Sequence, residues 1–116
     1  MLYVSYGRFT NDGIQGMIAN PQNRAESVSK LLAPFGGKLI GYHMILNADF
    51  DFFIVSDVPQ DKLAEITFIT ELLVRGSGAV ESMTTVPALS AEDAVPQMRK
   101  AKEMAAAMTY EAPKKA

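Results

Sequence analysis

Hydrophobic positions along the chain change their spacing several times, and each change marks an element. Leu2 to Phe9 is a short apolar and aromatic run, ended by the turn-forming Thr10-Asn11-Asp12-Gly13. Thr10 is placed to cap a short helical turn carrying Ile14, Met17 and Ile18, which Asn20-Pro21 closes. From Asn23 onward Ala25, Val28, Leu31, Leu32 and Phe35 recur at steps of mostly three and four, the stripe of one helix face. Asn23 with Glu26 resembles a capping box, Pro34 strains the last turn and Gly36-Gly37 stops the helix.

Two strands follow, Gly37 to Leu46 and Phe50 to Asp57, joined by Asn47-Ala48-Asp49. The second holds the unbroken run Phe52-Phe53-Ile54-Val55, whereas a strand covered on one face alternates apolar with polar, so this strand is expected to be buried on both sides. Pro59-Gln60-Asp61 opens a second helix with Leu63, Ile66, Ile69 and Leu73 as its inner stripe, and Gly76-Ser77-Gly78 ends it. Ala79 to Pro87 reads as a fourth strand, polar enough to lie at the sheet edge. Ser90-Ala91-Glu92-Asp93 begins a last helical segment. Pro96 is expected to split it into a one-turn prelude and a helix proper, with Val95, Met98, Ala105 and Met108 among its apolar positions and a frayed end from Pro113. The chain thus divides into a domain over residues 1–95 and a C-terminal helix and tail over 96–116.

The order β-α-β-β-α-β plus a C-terminal helix predicts an α+β fold, the ferredoxin-like plait with a four-stranded antiparallel sheet. Strands one and three lie centrally and both main helices cover one face. The central strands carry apolar residues at both parities, Leu2, Val4 and Tyr6 against Tyr3, and Phe52 and Ile54 against Phe53 and Val55. Burying the uncovered face calls for a second copy packed sheet to sheet, hence a homodimer or higher oligomer, or for the C-terminal helix folding back.

Composition narrows the function classes. A chain of 116 residues with 48% hydrophobic residues suits one domain with a real core. Thirteen acids and eleven bases, a net charge of -2, are scattered and offer no field for phosphate backbones, so no nucleic acid partner is expected. With no cysteine and one histidine, neither a metal site nor a metal cofactor is expected, and no other cofactor signature stands out. The start carries no apolar signal core and no segment reaches membrane-span length, which predicts a cytoplasmic protein without a membrane partner.

The run Gly7-Arg8-Phe9-Thr10-Asn11-Asp12-Gly13-Ile14, the helix from Arg24-Ala25-Glu26 to Phe35-Gly36-Gly37-Lys38-Leu39, and the strand Phe50-Asp51-Phe52-Phe53-Ile54-Val55 before Pro59 resemble the GYD domain family. Gly76-Ser77-Gly78-Ala79-Val80 and Thr84-Thr85-Val86-Pro87-Ala88-Leu89 are similar to its last strand, so the likeness spans roughly residues 3 to 95. The departure is at the naming motif, where the family usually has a Gly two residues before a Tyr-Asp pair and this chain has Ala48-Asp49-Phe50-Asp51. The resemblance implies a dimeric α+β barrel and no particular reaction.

Candidate chemistry rests on few residues. Asp51 opens the most apolar strand, either as a turn carboxylate accepting backbone N–H groups from Asn47 to Asp49 or as a ligand-binding acid. His43 is the one histidine, suited to act as a general base near neutral pH, although a strand histidine is more often a packed or rim residue. Parity groups His43 with Leu39, Gly41 and Ile45, aimed away from the helices, and Tyr42 with Ile40, Met44 and Leu46, aimed at them. Arg8 is either a cation for a cavity or a solvated surface residue.

Three readings follow. The first is a homo-oligomeric binding or structural domain holding a small molecule between paired sheets. The second is a cofactor-independent monooxygenase or isomerase with His43 as base and Tyr42 or Arg8 as electrophilic partners. The third is a stand-alone amino-acid sensor with a pocket near Asn47, Asp51 and Tyr6 at the subunit boundary, suggested by the likeness of Asp49-Phe50-Asp51-Phe52 to effector domains of leucine-responsive regulators.

Overall fold

The computed structural model describes residues 1–46, 49–107 and 112–113. Four strands, β1 (Leu2–Phe9), β2 (Lys38–Met44), β3 (Phe52–Asp57) and β4 (Val80–Ala88), form one antiparallel sheet in the order β2-β3-β1-β4. Helices α1 (Asn11–Ala19), α2 (Arg24–Leu32), α3 (Leu63–Gly76) and α4 (Ala91–Ala107) complete the order, and the fold is the expected α+β plait. No helix among the described residues is long and apolar enough to cross a membrane.

Local chemistry explains the helix ends. The Thr10 hydroxyl accepts the Gly13 N–H at 3.0 Å, and the segment it starts runs for nine residues, longer than the single turn expected. Asn23 caps α2 by accepting from Ala25 N–H at 3.0 Å; the expected box is formed on the Asn23 side only. Pro34 turns the end of α2 into a short 3₁₀ segment, Ala33–Phe35, and Gly36 at φ 75° lets Gly37 N–H reach the Leu32 carbonyl.

At the C-terminal end the structure departs from expectation. α4 passes through Pro96 without a break. Ser90 accepts the Asp93 N–H and starts the helix at Ala91, and the carbonyl that Pro96 cannot bond belongs to a helix exposed enough for water to take its place. No α4 residue is buried and only Ala94 is better than exposed, so within one copy this helix does not fold back over the sheet. Met108 lies outside the described residues.

The two sheet faces differ sharply. β3 alternates, with Phe52, Ile54 and Ser56 buried beneath the helices and Phe53 and Val55 half-buried on the other side; within one copy it is therefore covered on a single face. Under the helices Tyr3, Leu32, Val58 and Ile66 form one core cluster, and Phe9, Phe52 and Ile54 a second. Leu73, placed by its spacing on the inner stripe of α3, is 57% exposed and lines a cavity between the helices and the sheet. The opposite face carries the cross-strand row Gly41, Val55, Val4 and Val86, and beside it His43, Phe53, Tyr6 and Thr84.

β2 breaks its alternation. The β2–β3 register shifts between Leu39 and Gly41, leaving Ile40 as the extra residue at 60% exposure. Leu39, expected to share a face with His43, instead joins Tyr42 in the core. β1 is pinned against β4 at Gly7, where an added Cβ would overlap the backbone carbonyl of Ser82. Gly7→Ala is expected to lower stability by about 3 kcal/mol, read as a fall in urea midpoint at unchanged slope. A midpoint equal to wild type would show that the β1–β4 contact is not tight.

Candidate functional site

The sheet separates the candidate residues rather than gathering them. His43 and Tyr42 are neighbours in β2 and point to opposite faces, so they cannot serve one reacting centre within a single copy. His43 lies exposed on the face away from the helices, its imidazole 3.5 Å from where a Cβ on Gly41 would stand. Tyr6 lies in the same row, half-buried, with its ring 5.0 Å from that of Phe50. Arg8, at the end of that face, donates to the Asp49 carbonyl at 3.2 Å and stands 3.9 Å from the Glu81 carboxylate, an exposed arrangement of small energetic weight.

Asp51 is buried, 8% exposed, and its Oδ2 accepts the Phe9 N–H at 3.1 Å. Its own N–H donates to the Gly7 carbonyl at 2.6 Å, and its carbonyl accepts from Ile45 N–H at 2.8 Å. The carboxylate takes a backbone N–H from β1 across the sheet, at Phe9, which sits at the shift of register between β1 and β4. Asn47 and Ala48 of the turn lie outside the described residues.

Tyr42 occupies the other face and lines a large cavity. The cavity is a half-open space of about 630 Å³ between α1, α2, α3 and the sheet. Its apolar wall includes Phe9, Val28, Phe52, Ile54, Leu63 and Ile66, and its mouth includes Asp12, Asn20, Gln22 and Arg24. Burial pushes the Tyr42 phenol above its ordinary value, and the Arg24 guanidinium beside it, by charge and hydrogen bond, offsets part of that rise. Phe52 stacks on the Tyr42 ring at 6.4 Å.

The cavity floor holds residues that spacing did not single out. Tyr42, Ile54, Ser5 and Thr85 form one row across all four strands, and the Ser5 and Thr85 hydroxyls lie 2.9 Å apart. Ser56, one step along β3, is 7% exposed and lines the same space. The available signal was a hydroxyl inside an otherwise apolar parity set, Tyr3-Ser5-Phe9 in β1 and Phe52-Ile54-Ser56 in β3. Among the described residues no group of three or more His, Asp and Glu side chains is placed to hold a metal ion.

Two measurements follow from these contacts. Asp51→Ala strands the Phe9 N–H in a buried site and should cost about 2 kcal/mol in denaturant unfolding, with Asp51→Asn costing less because an amide oxygen still accepts; equal and negligible losses would remove the clamp. For Tyr42, a folded-state pKa above the unfolded one means that its contribution to stability is whole at pH values below the unfolded pKa and is lost as pH rises through the folded one. Ultraviolet titration should show one tyrosine ionising late, and later still in Arg24→Gln; an earlier ionisation in that variant would contradict the pairing.

The family model described as GYD domain matches residues 3–98. No curated protein matches the chain.

Proposed function

The chain belongs to the GYD domain family, and on that footing we propose that it is a self-associating small binding domain in which two copies pack together through the sheet faces that the helices leave bare. The observation that carries this reading is the row Gly41, Val55, Val4 and Val86, four apolar positions in line across the sheet with no covering element among the described residues of the same copy. Phe53 and Tyr6 extend the patch in the next row. Solvent contact over such a surface is unfavourable by roughly 25 cal/mol per Å² of apolar area, and an identical face is self-complementary under a twofold axis. α4 adds Val95, Met98 and Met104, all exposed within one copy and available to a partner.

The enzymatic alternative keeps one support. His43 lies on this same face, so pairing would draw it into the interface, while Tyr42 and its cavity stay on the far side of the sheet. The amino-acid sensor alternative gains less, since the Asp51 carboxylate is engaged by Phe9 N–H.

Light scattering on the purified protein is expected to return twice the 12.6 kDa of one chain. Val55→Asp at the centre of the row, and Val86→Lys on its outer strand, should each return the mass of one chain while keeping the native circular dichroism spectrum. A wild-type monomer, or a dimer indifferent to both substitutions, sinks the sheet-to-sheet reading.

A further inference from the structure

We propose that the cavity between α2, α3 and the sheet is a binding site for a small amphipathic carboxylic acid, its apolar body inside and its carboxylate at Arg24. The volume of about 630 Å³ falls in the range of small-molecule sites, roughly 300 to 1,000 Å³. Residues of both core clusters line the space, Tyr3 and Ile66 from one and Phe9 and Phe52 from the other. A domain of this size that packed only for stability would fill the gap, because empty apolar volume is costly.

The floor is built for a polar atom. Ser56 is more than nine-tenths buried, and its hydroxyl makes no hydrogen bond to another side chain or backbone group among the described residues. Ser56 lines the cavity, so the hydroxyl is open to that space and offers a donor and an acceptor to whatever enters it. The Ser5 and Thr85 pair lies beside it, with acceptor capacity to spare.

The mouth selects the charge. Arg24 and Asp12 are the ionised side chains lining the cavity. Asp12 sits in the first turn of α1, where the helix dipole favours an anion. Arg24 is the first residue of α2, where the same dipole disfavours a cation. Its guanidinium donates to neutral groups, Gln22 Oε1 at 2.8 Å and Ser27 Oγ at 3.4 Å, it is near enough to the Tyr42 phenol to offset part of the rise in its pKa, and no carboxylate among the described residues pairs with it. An incoming carboxylate completes this half-buried cation, with the Tyr42 hydroxyl as a second donor. The site lies on the opposite face from the proposed pairing surface, and neither depends on the other.

The test is a methyl NMR titration with sodium decanoate and, separately, decanol. Decanoate is expected to shift the Ile54, Ile66 and Val28 methyls saturably while those of Val4 and Val55, on the other sheet face, stay still. Arg24→Gln should weaken decanoate about tenfold and leave decanol nearly unchanged, as expected for loss of one charge-assisted contact. Ser56→Leu, which fills the floor, should weaken both probes. The proposal is overturned if Ile54, Ile66 and Val28 show no saturable shift, if Val4 and Val55 respond instead, or if wild type and Arg24→Gln hold decanoate equally.

Discussion

The register between β1 and β3 is the constraint on which everything else rests. These are the two central strands, and a slip of one residue would exchange their faces, sending Tyr3, Phe52 and Ile54 outward and Val4 and Phe53 under the helices. Because both parities are apolar, hydrophobicity discriminates weakly between the two registers. Asp51 supplies the missing discrimination. Its N–H to the Gly7 carbonyl and its carboxylate to the Phe9 N–H hold the start of β3 to the end of β1 at two points. A carboxylate in the most apolar part of the chain is thus a structural device, tolerated because a backbone donor meets it.

With the register fixed, the helix-side face acquires a polar centre and an apolar surround. Ser5, Ser56 and Thr85 stand where a core optimised for packing would hold aliphatic side chains, and they line the cavity left under the helices. The other face has the reverse character, an apolar centre with polar ends at Arg8, Lys38 and Asp57. One sheet thereby presents two surfaces of different character, a concavity under the helices and an apolar field beyond them.

Much of the fold was legible in the sequence because its elements announce themselves by period and by stops. β1, the α2 stripe, the Gly36-Gly37 stop and the strand order all followed from residues read in their local setting. What escaped were features decided by geometry between strands. The β2 bulge moved Leu39 across the sheet, and nothing in Lys38-Leu39-Ile40-Gly41 but the glycine hints at it. Pro96 does not break α4, since a solvated helix can lose one hydrogen bond without breaking. The candidate site was less legible still. His43 and Asp51 drew attention by chemical type, while Arg24 and Ser56 matter through position, and their neighbours across the sheet are far away in sequence.

The outer strands give this domain a limit on growth. β2 carries the bulge at Ile40, which spoils its ladder, and β4 carries Pro87, which has no N–H to offer a further strand. Neither border is a template for another chain to extend the sheet sideways, so the polymerising, fibre-like route open to many small sheet proteins is blocked at both ends. Addition is left to stacking on the bare face, and a stack of two such faces uses up both. Under the twofold pairing proposed above, a sheet left half covered by its own sequence would gain its cover in a finite number.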